Sequence, residues 1–141
     1  MIKVIYNKVC GRCVQSEPLT SGMVGQPIEL EYSPDFEGLT LTANTDRITD
    51  VSYTAKYNEL LGAVFVRIYG TISADLNAGY DYDIFTIGSR VPDSNAALSV
   101  KCAKNAMALA KTSSNGSAIQ ISPLESGIKG YDVYITGFWF V

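Results

Sequence analysis

The sequence of 141 residues contains no histidine. This absence excludes the Ser-His-Asp and Cys-His arrangements of nucleophilic enzymes, and it excludes every metal site that needs an imidazole ligand. Paired carboxylates can still hydrolyse glycosidic bonds, so an enzyme becomes a weaker expectation without being ruled out. We therefore predict a protein that is not an enzyme and that uses no cofactor.

Positive charge and long apolar runs are also scarce. There are 11 Lys and Arg against 14 Asp and Glu, a net charge of −3. Binding to a phosphate backbone needs a cationic surface, so we expect no nucleic-acid partner. No apolar run reaches the roughly 18 residues of a membrane helix, so no membrane partner is expected. The first ten residues, MIKVIYNKVC, make a poor signal peptide, which favours synthesis in a cytoplasm without the usual export.

Only three cysteines are present, and Cys10 and Cys13 have the C-x-x-C spacing of redox sites and of half a zinc site. A redox pair needs a helix N-terminus beside it, and no helical run follows Cys13. A zinc site needs two further ligands, and Cys102 is the only other cysteine. Ordinary reduced thiols are the favoured interpretation; the redox and metal alternatives stay open.

The residues that are abundant are apolar. Hydrophobic residues make up 47% of the chain and charged residues 18%, against about 25% charged in an ordinary soluble domain. The length suits one domain, or one domain with a small appendage. We interpret the apolar surplus as a subunit interface.

The hydrophobic pattern is that of β-strands almost throughout. One segment, Lys56–Leu61, is a candidate helix, and a second candidate, Asn105–Lys111, is interpreted as containing a strand because it leads into the hairpin signal Ser113–Gly116. The predicted strands are Ile2–Tyr6, Pro27–Tyr32, Leu39–Thr42, Ile48–Tyr53, Ala63–Ile72, Tyr82–Ile87, Ala97–Lys101, Ala106–Ala110, Ala118–Ile121 and Ile128–Val141.

A break in this pattern at Ala43–Asp46 predicts a boundary. Residues 1–43 would form an N-terminal β stub, a candidate attachment segment, and residues 44–141 a larger domain. The larger part holds about seven or eight short strands separated by regular turns, and that arrangement predicts an all-β fold, an antiparallel β-sandwich or jelly roll.

Four segments, in this order and spacing, carry a resemblance. They are FVRIYGTI at Phe65–Ile72, DIFTI at Asp83–Ile87, NGSAIQI at Asn115–Ile121 and YITGFW at Tyr134–Trp139. The stretch from Gly62 to Val141 resembles the C-terminal head domains of phage tail-fibre and receptor-binding proteins. The resemblance implies a small trimeric jelly roll, located in the virion, that recognises a saccharide on the host cell surface.

The N-terminal stub is similar to a different kind of protein. Val4–Cys10, Gln26–Leu30 and Phe36–Leu39 resemble the opening of small β modules in structural proteins of phages of Gram-positive hosts. That pattern would continue with more strands after Leu41, and here they are missing. The resemblance implies a shortened fibre whose stub contacts other virion proteins.

The last strand has two different faces, because side chains alternate along a strand. Val133, Ile135 and Trp139 share a core-like face, so Trp139 is expected to be core rather than a ligand platform. Tyr134, Phe138 and Phe140 share the other face, and we predict that they lie in the interface of a homotrimer. The alternative is that a loop or the stub of the same chain covers them.

Two clusters are candidate ligand sites, because saccharide sites combine aromatic faces with a few fixed polar groups. The first is Tyr80, Asp81 and Asp83; the alternative is that Asp81 caps a turn. The second is Arg90 and Asp93 in a polar loop that is otherwise an ordinary solvated loop.

The same carboxylates carry the remaining functional alternatives. Asp81 and Asp83 share a strand face at a separation that a glycosidase pair could have, but we interpret this as coincidence. Their spacing does not resemble a calcium loop either, so no metal is predicted. The main alternative function is a virion decoration or connector protein without receptor binding; a polysaccharide-degrading enzyme is more distant.

Overall fold

The computed structural model describes residues 2–4, 30–32 and 36–141, and the chain divides into two compact units, Met1–Asp35 and Phe36–Val141. In the first unit, β1 (Ile2–Val4) pairs antiparallel with β2 (Leu30–Tyr32). Both strands lie within predicted ones. The Cys10–Cys13 motif and the predicted turn at Ser33–Asp35 lie outside the described residues.

The second unit, here called the sheet unit, is one curled antiparallel sheet of nine strands. The order across the sheet is β3-β5-β6-β11-β8-β9-β10-β7-β4. The predicted all-β class is therefore confirmed. The strands are β3 (Phe36–Gly38), β4 (Leu41–Ala43), β5 (Ile48–Asn58), β6 (Ala63–Ile72), β7 (Tyr82–Ile87), β8 (Ala97–Cys102), β9 (Ala108–Thr112), β10 (Ala118–Pro123) and β11 (Asp132–Phe140).

Alternating burial shows why these segments are strands. In β6, Val64, Val66 and Ile68 are buried, while Phe65 and Arg67 between them are exposed. One face of the sheet therefore packs inward and the other faces out. The inward faces supply a single core, whose largest fully buried side chains are Trp139, Phe85, Ile48, Ile68, Ile72, Ile84, Ile119, Ile121, Ile128 and Ile135.

One short stretch of chain supplies both edge strands of the sheet. β3 is bonded to β5 at one edge and β4 to β7 at the other, and only Leu39 and Thr40 separate them. The Leu39 amide donates to the carbonyl of Ala55 at 2.9 Å, and the Leu41 amide donates to the hydroxyl of Tyr53 at 3.1 Å. Both leucines are in the core. The sheet curls because its two edges are consecutive in sequence.

Because β3 and β4 belong to the sheet unit, the boundary between the two units lies earlier in the chain than the predicted one. The break was predicted after Ala43, whereas the compact units meet between Asp35 and Phe36. The physical reason is that β3 and β4 complete the edges of the sheet and bury Leu39 and Leu41. The polar segment at Ala43–Asp46 is a tight turn inside the sheet unit, in which the Asn44 carbonyl accepts from the Arg47 amide at 2.9 Å.

The strand β8 also changes partner along its length. Ala97 and Leu98 pair with β9, and the residues from Ser99 to Cys102 pair with β11. A strand that pairs with one neighbour and then another bends the sheet at that point. Together with the stretch from β3 to β4, it gives the sheet a second place of sharp curvature.

The predicted helix at Lys56–Leu61 is wrong. β5 continues to Asn58, because it is hydrogen bonded to β3 on one side and to β6 on the other. The buried Asn58 then ends the strand by accepting the Leu61 amide through its side-chain oxygen at 2.9 Å. Gly62, with φ +63°, completes the turn. A ladder on both sides outweighs the weak helical propensity of this segment.

The predicted strand at Ala106–Ala110 is confirmed, although β9 begins later, at Ala108, after a 3₁₀ turn at Ala103–Asn105. The hairpin between β9 and β10 is also present. Its conformation differs from the expected one, because only Gly116 has a positive φ, +73°. Asn115 acts through its side chain, which accepts from the Ser113 hydroxyl at 2.7 Å and the Ser117 amide at 3.0 Å.

At Gly137 an added side chain would force the side chain of Leu98 to shift. A Cβ there would lie 2.6 Å from Cδ2 of Leu98 and 3.4 Å from its Cα. We expect Gly137→Ala to lower the free energy of unfolding by about 1–3 kcal/mol, as overpacking does. Gly38→Ala is the matched control, because nothing lies within 4 Å of that position. Urea denaturation checks both.

The contact with Leu98 gives this prediction its specificity. In a double-mutant cycle, Gly137→Ala combined with Leu98→Ala should cost less than the sum of the single changes. Strict additivity would contradict the proposed clash.

Candidate functional site

The outward face of β6 and β11 carries a row of exposed aromatic side chains. The two strands are antiparallel, with Phe65 opposite Phe138 and Tyr69 opposite Tyr134. Phe140 continues the row at the end of β11. These five residues are here called the aromatic strip, and all of them are exposed.

The strip is apolar at one end. The rings of Phe65 and Phe138 have centroids 5.9 Å apart, and those of Phe138 and Phe140 are 5.6 Å apart with an interplanar angle of 80°. The edge contact between Phe138 and Phe140 is favourable aromatic geometry. Phe138 and Phe140 nevertheless remain 49% and 55% exposed, so no loop of the sheet unit covers them. A contiguous apolar patch of this kind is typical of an interaction surface.

The other end of the strip is polar. Asp132 lies at the start of β11 and accepts a hydrogen bond from the Thr71 hydroxyl at 2.7 Å and from the Tyr69 hydroxyl at 3.2 Å. The hydrogen bond to Asp132, and then its negative charge, raise the pKa of Tyr69 above its usual value of 10.0. Tyr69 is therefore a neutral phenol that donates to the carboxylate, and the carboxylate is held in one orientation.

A shallow depression lies at this polar end. Its volume is about 310 Å³. Lys101 of β8 lies opposite Tyr134, so side chains from β6, β11 and β8 meet here. The lining residues are Tyr69, Lys101, Cys102, Ala103, Asp132, Val133 and Tyr134.

The first predicted ligand cluster lies elsewhere, at the start of β7. Tyr80 is 64% exposed, and its hydroxyl forms no hydrogen bond within the sheet unit. Asp81 forms an ion pair with Lys111 at 2.8 Å and accepts a hydrogen bond from Ser122. Asp83 accepts from Nε2 of Gln120 at 2.7 Å. Both carboxylates are thus engaged by side chains of β9 and β10.

The second predicted cluster holds the loop after β7 against other elements. Arg90 pairs with Glu37 at 3.0 Å, and its guanidinium carbon lies 4.2 Å from the ring centroid of Tyr57. The Arg90 carbonyl accepts the indole N–H of Trp139 at 2.7 Å, and Trp139 is only 1% exposed, so its predicted core role is confirmed. The Asp93 amide donates to the carbonyl of Phe140 at 3.0 Å.

The two predicted clusters do not form one site. Tyr80, Asp81 and Asp83 lie at the start of β7, and Arg90 and Asp93 follow its end. A strand of this length spans about 20 Å. The carboxylates of Asp81 and Asp83 and the guanidinium of Arg90 have structural partners within the chain.

The residues that the sequence reasoning missed are Tyr69, Lys101 and Asp132. The chain does contain a signal for them, since the alternation of β6 and β11 places Tyr69 and Asp132 on outward faces. Their proximity depends on β11 lying between β6 and β8, which no local pattern reveals.

No metal site accompanies these clusters. Within residues 36–141 and the two short described strands, no three Cys, Asp or Glu side chains are grouped to hold an ion. Cys102 is a buried free thiol, whose pKa is raised by desolvation and then by the charge of Glu125. None of the described residues belongs to a helix that is long and apolar enough to cross a membrane.

Comparison with known proteins adds no assignment. No protein-family model matches this chain, and no curated protein is significantly similar to it in sequence.

The contacts of Asp81 with Lys111 and Ser122 predict how its carboxyl group titrates. The hydrogen bond from Lys111, then that from Ser122, lower the pKa of Asp81 below its usual value of 3.8. Replacing Lys111 by Met should raise the titration midpoint of this carboxyl towards 3.8, and Ser122→Ala should raise it by less. Carbon-13 NMR of the carboxyl group between pH 2 and 6 measures the midpoint.

The sign for stability follows from the lowered pKa. Asp81 stabilises the folded state above its unfolded pKa, and this contribution is lost as the pH falls through the lower folded value. Lys111→Met should reduce that loss. An unchanged midpoint in both variants would contradict the engagement of Asp81 by Lys111 and Ser122.

Proposed function

We propose that this protein is a phage attachment protein whose β head assembles as a homotrimer and recognises a host cell-surface saccharide without catalysis. The observation that carries the proposal is the exposed aromatic strip on the outward face of β6 and β11. A small soluble domain does not gain stability from phenylalanine rings in water, so an exposed cluster of them is best explained by a partner surface.

The topology is compatible with the sandwich that the resemblance implies. The single sheet is curled around one core, both of its edge strands come from the stretch β3–β4, and β8 pairs with β9 and then with β11. We therefore propose a sandwich or jelly-roll arrangement of these strands. Heads of that kind bury one outward face between subunits.

The proposed subunit contact uses the apolar end of the strip. Phe138 and Phe140 supply the apolar area, and Tyr134 lies at its border with the polar end. Closed three-fold symmetry would bring three copies of this patch together around one axis. Three weak saccharide sites on one particle then act together, which increases avidity without stronger individual contacts.

Non-enzymatic recognition is supported by the state of the carboxylates. Asp81 is paired with Lys111, and Asp83 accepts from Gln120, so neither is presented as an acid or a nucleophile across a cleft. We propose binding alone as the activity and the virion as the location.

One observation favours the alternative, a virion decoration or connector protein. β1 and β2, the described strands of the unit Met1–Asp35, form a two-stranded sheet of their own. A separate module of this kind suits attachment to other virion proteins. In that case the sheet unit would serve assembly and not a receptor.

The assembly is tested by molar mass. Light scattering after size exclusion should give a trimer, about three times the chain mass of 15.3 kDa. The double change Phe138→Ser and Phe140→Ser should give a monomer, because it removes the apolar area of the contact. Leu109→Ser is the matched control, since Leu109 is similarly exposed on β9, and it should remain a trimer. A monomeric native chain would contradict the proposed assembly.

Receptor recognition is tested on bacterial surfaces. The labelled full-length protein should bind isolated cell-wall polysaccharide from a susceptible host and lose this binding after periodate oxidation of the sugars. The trimer should bind more tightly than the Phe138→Ser, Phe140→Ser monomer because of avidity. Normal assembly into virions without binding to any host polysaccharide would favour the connector function.

A further inference from the structure

We propose that the depression at the polar end of the aromatic strip binds one neutral pyranose ring of the saccharide. This inference rests on the proposed function and places its binding site. It differs from the expectation drawn from the sequence, which put the site at Tyr80–Asp83.

The size of the depression suits a single sugar ring. Its volume of about 310 Å³ lies at the lower end of the range for small-ligand pockets, about 300–1,000 Å³. Tyr69, Tyr134 and Lys101 form a row across β6, β11 and β8, since Tyr69 pairs with Tyr134 and Tyr134 with Lys101. Neighbouring strands are about 4.8 Å apart, so the row spans roughly 10 Å.

The aromatic rings in this row have no aromatic partner of their own. Phe138 contacts both Phe65 and Phe140, but neither Tyr69 nor Tyr134 belongs to an aromatic pair of the sheet unit. Both rings are exposed, at 47% and 37%. An exposed tyrosine face beside fixed polar groups is the combination that stacks on the C–H face of a sugar while its hydroxyls are bound.

Asp132 is the fixed polar group. Its Oδ1 accepts from Thr71 and its Oδ2 from Tyr69, so each oxygen has one protein donor. A carboxylate offers about four acceptor positions, which leaves two for a ligand. Two adjacent sugar hydroxyls can donate to these two oxygens, and the carboxylate is already oriented before binding, which reduces the entropy cost.

The charges favour a neutral sugar over a polyanion. The lining contains one carboxylate, Asp132, and one ammonium group, Lys101. A phosphate-rich polymer would meet the negative charge of Asp132 beside the row. A neutral ring can instead donate to Asp132 and accept from Lys101.

The site and the proposed subunit contact occupy different ends of the same face. Thr136 and Arg67, which pair between β11 and β6, separate Tyr134 and Tyr69 from Phe138 and Phe65. Arg67 is exposed. The polar end can therefore remain open while the phenylalanines are covered.

The test is an NMR titration of the full-length protein with N-acetylglucosamine, galactose and glucose as separate probes. At least one probe should shift the amide signals of Tyr69, Lys101 and Asp132. Asp132→Asn should weaken that binding about tenfold or more, because hydrogen bonds to a charged acceptor contribute strongly. Glycerol phosphate is the anionic probe and should bind more weakly than the sugar.

Asp83→Asn is the matched control, since it makes the same chemical change to a carboxylate outside the depression. It should leave the affinity unchanged. Lys101→Met is the second variant, chosen because Lys101 is exposed and its loss should weaken sugar binding without disturbing Asp132. An unchanged spectrum outside the site shows that each variant is folded.

The outcomes separate this inference from the proposed function. Sugar shifts confined to Tyr80–Asp83, or affinity that is unaffected by both Asp132→Asn and Lys101→Met, overturn the site and leave saccharide recognition standing. Tighter binding of glycerol phosphate than of any sugar overturns the neutral-ring specificity. If the protein binds none of the probes and no host polysaccharide, both the site and the proposed saccharide recognition are overturned.

Discussion

The register between β6 and β11 determines what each face of this protein presents. The ladder runs from Asp132 opposite Thr71 to Phe140 opposite Ala63, so it aligns the whole of β11. Side chains alternate with a period of two, and a slip by one residue would exchange the faces. Trp139 would then be exposed, and Asp132 would be buried without its hydroxyl donors. The buried core and the exposed strip are thus two consequences of one pairing.

The β6–β11 ladder lies inside a sheet whose two edge strands, β3 and β4, are consecutive in the chain. β3 bonds to β5 and β4 bonds to β7, and Leu39 and Leu41 enter the core from this stretch. At the end of β11, the Arg90 carbonyl holds the indole of Trp139, and the Asp93 amide bonds to Phe140. Exposed edges invite pairing with other chains, but β3 and β4 are only three residues long, and edge strands this short limit such pairing.

Local sequence patterns predicted where the strands lie in the chain better than they predicted which strands pair with one another. The bounds of β6 and β7 were predicted correctly, because β-branched and aromatic residues fill them between turn residues. The candidate helix at Lys56–Leu61 was wrong, because β5 continues to Asn58 and is paired with β3 on one side and with β6 on the other. The sequence also showed Tyr80, Asp81 and Asp83 as a polar aromatic cluster, but not that Lys111 and Gln120 lie beside them. Non-local pairing carries that information, and it was equally needed to bring Lys101 to Asp132.

The two ends of the aromatic strip differ in their free energy of hydration. At Phe138 and Phe140 hydration is unfavourable, and covering the rings releases free energy in proportion to their apolar area, roughly 25 cal/mol per Å². At Asp132 hydration is favourable, and a subunit that covered the carboxylate would have to replace that water with hydrogen bonds or meet a large desolvation cost. A protein partner is therefore favoured at the phenylalanine end, and a hydroxyl-rich ligand, which supplies donors as water does, at the aspartate end. One strand can serve both because its outward side chains change from polar to aromatic along its length.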